Sequence, residues 1–379
     1  ENNLHSNDSD VNAAFVEMNN LAEVISSKDS ENLAKLYGMD SAKATKALKS
    51  IKGRETANIS AVMQQSNMIH NAIGMRLSQV NKAKMVHVDV PIPQLDATSE
   101  PLVKIGMPIT VQPEYDMWAK VSRNKGAVNA ESDYKTDAYS IGWDKQVSKD
   151  WRFGFFGSYS KGKFEAETIQ NDLQDYRLGV YGGYNKNAAE AIIYADYGWG
   201  KNKLYRNLDA MDLATKSKYD SNIMELGAEY KYDLHHKDNK AWHVAPYGAM
   251  QVNRYSQKAY AETGAEPFNK NVAKLNNTYA AFETGIDLER RLANGSAYGM
   301  RLGYRRGLTG TDPKQSYHYA ADPLHRYVNY GESDKNKLVL RVNGQVQTGQ
   351  NWSISGEAGY ERGKKGHGYS GEISLKYSW

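Results

Sequence analysis

Cysteine is absent from this sequence of 379 residues. Disulfides, thiolate chemistry and zinc sites built on cysteine are therefore excluded. Long hydrophobic runs are absent too, since no apolar stretch approaches the roughly 18 residues that a membrane-spanning helix needs. The mean hydropathy of −0.71 agrees with that absence. The sequence therefore excludes helical membrane proteins but not a membrane barrel, whose strands carry apolar groups on only one face.

Phenylalanine is scarce, with 7 residues against 27 tyrosines and 7 tryptophans. Aromatic rings with a polar tip favour a boundary between apolar and aqueous surroundings, and they form the girdles of membrane barrels. Neither sign of charge dominates, because 48 basic residues meet 44 acidic ones and no stripe of lysine and arginine accumulates. Nucleic-acid binding is therefore not expected. No basic and apolar targeting sequence opens the chain at Glu1, so an exported chain of this kind is interpreted as a mature or truncated fragment.

Residues 1–53 show helical spacing of their apolar side chains from about Val11 to Ile51. Gly38 is placed to end one helix, Asp40 or Ser41 to cap the next, and Gly53 to end that one. This segment is predicted to form short amphipathic helices.

Residues 54–84 are predicted to form one longer helix of unusual chemistry. From Thr56 to Asn81 the apolar residues again follow a helical stripe, but Arg76 is the only formal charge, and Asn, Gln, Ser and Ala fill the other faces. A helix on a water-facing surface normally carries many more charges. The segment would extend roughly 40 Å, enough to cross a membrane inside a pore. Residues 85–114 follow, hold five of the nine prolines and are predicted to be an extended linker.

Residues 115–379 change to a period of two, which is typical of β-strands. In the last strand Ile373, Leu375, Tyr377 and Trp379 alternate with polar residues. Counting such runs predicts an all-β barrel of twelve antiparallel strands. The predicted strands lie near residues 115–123, 137–145, 150–160, 175–185, 190–200, 222–232, 242–254, 278–289, 296–306, 335–347, 351–361 and 369–379.

The direction of the apolar faces is predicted from strand ends and connections. Apolar faces begin or end in Trp or Tyr, as two aromatic belts across an apolar band would. The connections alternate between long and short, and membrane barrels sort their loops in this way, with long loops outside the cell. The long connections are predicted near 124–136, 161–174, 201–221, 255–277 and 307–334. Polar faces then line the lumen, which places the following charges there: Arg177, Glu225, Glu229, Glu283, Asp287, Arg341 and Glu357.

Three segments resemble the classical, monomeric (type Va) autotransporters. The stretch NMIHNAIGMRL from Asn67 to Leu77 is similar to the family's polar lumen helix, MWAKV from Met117 to Val121 to its first strand, and the terminal YSW to its last. Leu33 to Gly53 is similar to the helical stretch that precedes the translocator. The proline-rich linker 85–114, between the helix and the first strand, departs from the family's pattern.

The resemblance implies a function and several partners. The chain would be a translocator in the outer membrane of a diderm bacterium, a monomer that exports its own N-terminal passenger and keeps the helix 54–84 in its lumen. Asn67, Asn71, Arg76 and Leu77 would be the plug residues, with Arg76 paired to lumenal acids. Outer-membrane lipid and the barrel-assembly machinery would be partners, the latter reading the strand that ends in Ile373, Leu375, Tyr377 and Trp379. No cofactor, metal or nucleic acid is expected.

Two alternatives stay open. Some relatives cut their own chain inside the barrel at an Asn assisted by lumenal carboxylates, for which Asn67 and Asn71 would be candidates. Twelve-stranded barrels also include channels, lipases and proteases. For an enzyme, His318, Asp322 and His325 in one predicted outer loop are the candidate metal or base residues, although a flexible loop alone positions nothing.

Overall fold

A computed structural model of the chain describes residues 6–53, 84–90, 103–109, 113–129, 132–237, 242–292, 294–331 and 333–379. The predicted plug residues Asn67, Asn71, Arg76 and Leu77 lie outside these ranges. Within them, none of the helices is long and apolar enough to cross a membrane.

Three helices occupy the N-terminal segment. They are α1 (Ser9–Val24), α2 (Ser30–Tyr37) and α3 (Ser41–Lys52). The cap of α3 is Asp40, whose side chain accepts a hydrogen bond from the backbone of Lys43 at 2.9 Å. Gly53 ends α3 with a φ of 59°, a left-handed value that favours glycine.

Eighteen strands follow in the described part of the chain. They are β1 (Lys84–Val90), β2 (Val103–Ile109), β3 (Tyr115–Asn129), β4 (Ser132–Gln146), β5 (Trp151–Ala166), β6 (Ile169–Lys186), β7 (Ala189–Leu208), β8 (Leu213–Tyr232), β9 (Trp242–Gln257), β10 (Tyr260–Ala261), β11 (Lys270–Val272), β12 (Leu275–Arg291), β13 (Ala297–Thr309), β14 (Lys314–Tyr319), β15 (Tyr327–Tyr330), β16 (Asn336–Gln347), β17 (Trp352–Arg362) and β18 (His367–Ser378).

Twelve of these strands close into one antiparallel barrel, which confirms the predicted fold class and strand number. The barrel consists of β3 to β9, β12, β13 and β16 to β18. Each of these strands pairs with the next barrel strand along the chain, and β18 pairs with β3 to close the barrel. We call the end with the hairpins β3–β4, β5–β6 and β7–β8 the long-hairpin end, and the opposite end, where β3 begins and the chain terminates, the short-turn end. At the long-hairpin end β10, β11, β14 and β15 form a separate four-stranded sheet.

The apolar side chains face outward, as predicted. In β6, Leu178 is 61% exposed while its neighbour Arg177 is 1% exposed; in β8, Leu226 is 62% exposed and Glu225 is 3% exposed. A soluble sandwich would show the opposite pattern. The outside of the barrel is therefore the surface suited to lipid.

Three of the five predicted long connections are wrong. Residues 124–129, 132–136, 161–166, 169–174, 201–208 and 213–221 are strand, and β7 and β8 each reach 20 residues. The alternation fades there because both faces are polar: inward Asn124 lies beside outward Arg123 and Lys125. Connections 255–277 and 307–334 are long and carry the four-stranded sheet.

The stretch predicted to be a linker, 85–114, contains paired backbone. Strands β1 and β2 form an antiparallel hairpin in which Lys84 faces Ile109 and Val90 faces Val103. Most of the prolines lie outside the two strands, but Pro108 lies within β2, as an edge strand tolerates.

Candidate functional site: the barrel lumen and the helical cap

The lumen wall formed by β6, β7 and β8 holds an arginine surrounded by carboxylates. Arg177 contacts Asp175 at 2.9 Å, Asp196 at 3.4 Å and Glu225 at 3.5 Å. Tyr194 donates a hydrogen bond to Glu225 at 2.6 Å. A buried charge with several charged partners is held in one geometry, because breaking the cluster would leave an uncompensated charge.

A second arginine bridges strands of the lumen wall that are three positions apart in the barrel. Arg301 of β13 donates two hydrogen bonds to Glu229 of β8, at 2.9 and 2.7 Å, and two to Asp287 of β12, at 2.6 and 2.7 Å. Its guanidinium lies 3.7 Å from the ring centroid of Tyr247, in a cation–π contact. This cluster connects strands that are not neighbours in the barrel and so resists its deformation.

Two further arginines, Arg305 and Arg341, form ion pairs along the wall of β12, β13, β16 and β17. Arg305 contacts Glu283 at 2.7 Å and Glu361 at 2.9 Å. Arg341 lies 3.8 Å from Glu357 and 4.0 Å from Glu361. In the clusters of Arg177, Arg301, Arg305 and Arg341 the carboxylates outnumber the arginines, so this part of the lumen is a polar and acidic surface.

The three helices form a cap on the long-hairpin end, which we call the helical cap (residues 9–52). Its apolar side chains pack directly on the ends of β7 and β8 and on the four-stranded sheet. The shared core contains Val11, Ala14, Met18, Leu21, Leu33, Leu36, Leu48 and Ile51 of the cap with Leu204, Leu208, Met211, Tyr219, Tyr260, Phe268, Tyr317 and Tyr319 of the barrel. The removal of these apolar side chains from water makes the main favourable contribution to the free energy that holds the cap on the barrel.

Arg206 of β7 joins the end of α3 to the barrel. Its guanidinium donates to the carbonyls of Ser50 at 3.1 Å, Ile51 at 2.8 Å and Phe268 at 2.8 Å. It also forms a bidentate pair with Glu262. The carbonyls at a helix C-terminus lack partners within the helix, and a cation is favoured there. Arg206 is fully buried, so the geometry is fixed.

Glu17 of α1 is the second buried polar contact of the cap. It accepts hydrogen bonds from Lys52 at 2.6 Å, Tyr317 at 2.9 Å and Tyr319 at 2.8 Å. Burial, followed by the charge of Glu17, raises the pKa of Tyr319 well above its ordinary value, so this hydroxyl stays a donor. All four side chains are satisfied by one another across the interface between cap and barrel.

Comparison with known proteins decides the family. The sequence model of the autotransporter β-domain matches residues 117–359. The chain belongs to the autotransporter β-domain family. It is a translocator of the bacterial outer membrane that exports a passenger domain by type V secretion. No curated protein matches it significantly.

Solved translocators share its fold. The translocator domain of NalP from Neisseria meningitidis is 13% identical, with a TM-score of 0.65, covering 85% of this chain and 98% of that one. The β-domain of the Bordetella autotransporter BrkA is 14% identical, with a TM-score of 0.53, covering 70% of this chain and all of that one.

All seven charges that the sequence places in the lumen of this translocator lie in the ion clusters described above. Sequence reasoning missed Asp196, Arg301 and Arg305. The signal was available, because Arg301 lies between the outward residues Met300 and Leu302 and therefore faces the lumen. Arg206 was missed because it falls in a segment interpreted as a loop.

His318 and His325, the histidines of the predicted outer loop, have different hydrogen-bond partners. Asp322 is fully buried and caps a turn, accepting hydrogen bonds from the backbone of Leu324 and His325 and contacting His325 Nδ1 at 2.9 Å. His318 instead contacts Asn271 and Arg326. Burial, then the nearby Arg326, lowers the pKa of His318. Among the described residues no group of three or more His, Asp and Glu side chains is arranged to hold a metal ion.

An ion pair joins the first and last helices of the cap and gives it a pH dependence. Asp8 contacts Lys49 at 2.9 Å, and this hydrogen bond lowers the pKa of Asp8. A lowered folded pKa contributes stability above the unfolded value near 3.8, and that stability is lost as the pH falls through the folded value. Because the pair is partly exposed, we expect a loss of at most about 1 kcal/mol of cap stability on acidification.

The measurement for Asp8 is protease resistance of the cap between pH 5 and pH 2.5, with an acid-stable protease. Asp8→Asn keeps a side-chain acceptor for the backbone of Asp10 but removes the charge. The variant should lose resistance at pH 5 and respond less to acid than the unaltered protein. An unchanged acid response in Asp8→Asn would contradict this assignment.

Proposed function

We propose that the helical cap is the passenger-proximal end of the exported chain and that it seats on the outer mouth of its own barrel after export. The contacts of Arg206 with the last turn of α3 support this most directly, because they give the emerging chain a fixed, fully buried docking point. Asn20 and Asn32 add contacts with Tyr327 and the backbone of Glu266. A seated cap would hold the passenger end at the cell surface.

The path between cap and barrel supports a chain that crosses the barrel lengthwise. Gly53 follows the helix that docks at the long-hairpin end, whereas the carbonyl of Pro113 accepts a hydrogen bond from Arg152 at the short-turn end. Residues 54–112 therefore connect the two ends. We propose that the predicted helix 54–84 takes the lumen, where the excess of carboxylates would suit Arg76.

Sidedness follows from the same path: we propose that the long-hairpin end faces the cell exterior. Because the chain has no cysteine, single cysteines can be introduced on an empty background. Exposed Asp209 and Asp312 lie at the long-hairpin end, and exposed Lys186 is the last residue of β6, at the short-turn end. Asp209→Cys and Asp312→Cys should react on intact cells with a maleimide too large to enter the periplasm.

Lys186→Cys is the matched control and should react only after the outer membrane is opened. It is preferred to Asn187, whose φ of 55° would strain a substitution. Labelling of Lys186→Cys on intact cells, with protection of the other two sites, would reverse the orientation and refute the proposed cap at the cell surface.

Three partners complete the proposal. The outward apolar belt would contact outer-membrane lipid, and the chain would act as a monomer. The barrel-assembly machinery would read the last strand, in which Ile373, Leu375 and Trp379 are exposed on the lipid side and Tyr377 packs between Trp352 and Trp379. The passenger that leads into the cap would be the cargo.

Self-cleavage inside the barrel is a separate proposal. Lumenal acids such as Glu225 and Asp196 support it, because a carboxylate could assist the attack of an asparagine amide on its own carbonyl. The candidates Asn67 and Asn71 lie outside the described residues, so the proposal rests on the acids. The mass of the barrel fragment recovered from cells tests it, since the uncut chain would retain residues 1–53.

A further inference from the structure

A row of aromatic side chains marks the upper limit of the apolar belt on one side of the barrel. Cross-strand pairing brings Tyr139, Tyr159, Tyr176 and Trp199 side by side on β4, β5, β6 and β7. The ring centroids of Tyr159 and Tyr176 are 5.0 Å apart, and those of Tyr176 and Trp199 are 6.0 Å apart. Such rows lie at the level of lipid headgroups.

Two rows of charged residues lie directly above these rings on the outside of strands β3 to β8. The lower row lies two residues from the aromatic row along each strand, toward the long-hairpin end. It consists of Arg123, Asp137, Lys161, Gln174, Lys201 and Asp220. The upper row lies two residues beyond the lower row on the same strands. It consists of Lys125, Lys135, Lys163, Asp172, Lys203 and Lys218. We call them together the basic rows; they contain eight cationic and three acidic side chains.

Folding alone does not account for the upper row. Lys125 faces Lys135, Lys135 faces Lys163, and Lys203 faces Lys218 on adjoining strands, with all five side chains exposed. Of these five, Lys163 has an acidic partner within the protein, Glu165 at 2.5 Å. Like charges directly opposite each other on a sheet are destabilising. Thr or Gln would keep the strand without that cost, so the arrangement favours an anion supplied from outside the protein.

The height of the basic rows identifies the kind of anion. With about 3.3 Å per residue and a strand tilt near 40°, they lie roughly 5 and 10 Å above the aromatic row. The polar zone of a leaflet is roughly 5 to 7 Å thick, so the lower row lies within the headgroups and the upper row lies at their outer edge. Lysine side chains of the upper row are long enough to reach back to the phosphates. An ammonium group is a compact charge well suited to phosphate. The lysines therefore surround the position where lipid phosphates would lie.

We propose that the basic rows bind the phosphate groups of a phosphorylated glycolipid of the outer leaflet. The inference rests on the proposed sidedness, because the rows lie at the long-hairpin end. Bound glycolipid would neutralise the lysine pairs and fix the rotation and depth of β3 to β8 in the membrane. The aromatic row below would contact the sugar and the upper part of the acyl chains.

The test measures binding of bisphosphorylated lipid A to the full, refolded chain in neutral detergent. Wild-type protein should bind it at least about tenfold more tightly than fully dephosphorylated lipid A, and added salt should weaken binding, since exposed charges are screened. Replacing Lys125, Lys135, Lys203 and Lys218 by glutamine should weaken binding about tenfold or more, because each lysine near an anionic surface contributes separately.

Two control variants make the comparison specific. Glutamine at Lys28, Lys274, Lys314 and Lys335, four exposed lysines away from the basic rows, removes the same charge and should leave binding unchanged. Arginine at the four row positions keeps the charge and should retain binding. Because the like-charge pairs are destabilising, replacing them by glutamine should leave the lipid-free barrel at least as heat-stable as before.

Three results would overturn the proposal. They are unchanged binding in the glutamine variant, equal loss in the control variant, and wild-type binding of dephosphorylated lipid A or phosphatidylglycerol as tight as that of the bisphosphorylated form. If the glutamine variant did not fold, the wild-type comparison of phosphorylated and dephosphorylated lipid would still decide. A reversed result in the cysteine labelling would refute sidedness separately from phosphate binding.

Discussion

Replacing Arg206 by alanine is expected to release the helical cap from the barrel. The change removes the donors that hold the carbonyls of Ser50 and Ile51 and leaves Glu262 buried without its guanidinium partner. Breaking a buried pair by removing one partner typically costs about 3 to 5 kcal/mol. The measurement is trypsin release of residues 1–53 from folded protein, which should become rapid while the barrel keeps its heat-modifiable mobility on gels.

The matched control is Arg123→Ala. Arg123 also forms a two-point contact with an acid, Asp137, but on the exposed outer wall, where its side chain is 61% exposed. Such pairs contribute little to stability, so cap release should stay at the wild-type rate. The double variant Arg206→Ala/Glu262→Gln should release the cap less readily than Arg206→Ala, because the orphaned charge is gone. Slow release in both Arg206 variants would contradict the docking role.

The barrel could be predicted because the lipid sets a simple rule for each strand. Where one face meets lipid and the other meets the lumen, residues such as Leu226 and Glu225 alternate strictly, and the inward charges follow from the same phase. Above the apolar belt both faces meet water or the cap. Lys201 and Lys203 then face outward while Asn202 faces inward, and the period disappears although the hydrogen-bonded ladder continues.

The cap interface and the basic rows could not be predicted because they depend on distant pairings. Arg206 meets Ser50 across 156 residues, and no local pattern indicates such a contact. The lysines of the upper row are spread between Lys125 and Lys218, and only the register of six strands brings them together. The absence of a basic stripe along the sequence was therefore no guide to the surface.

The last residue of the chain closes the barrel as well as ending it. Trp379 and Tyr115 exchange two backbone hydrogen bonds, of 3.0 and 2.9 Å, where the last strand meets the first. Their rings stack with centroids 5.6 Å apart and planes inclined by 20°. Tyr377 packs against Trp379 on the same strand at 5.6 Å. The residue proposed as an assembly signal thus also stabilises the seam.

Trp379→Ser is expected to lower the amount of heat-modifiable barrel in the outer membrane severalfold, since slower closure leaves the chain open to periplasmic proteases. Trp352→Ser is the matched control. Trp352 is 46% exposed and Trp379 is 47% exposed, both at the short-turn end, but Trp352 does not lie on the seam. If these tryptophans acted only through contact with lipid at the membrane interface, the amount of heat-modifiable barrel would fall equally in both variants. We expect Trp352→Ser to stay near the wild-type amount, so an equal fall in the two variants would contradict a special role for the C-terminal residue.

Refolding of purified Trp379→Ser into detergent then separates the contribution of the seam from that of recognition by the assembly machinery. Slow refolding there indicates the seam, and normal refolding with poor insertion in cells indicates recognition by the assembly machinery.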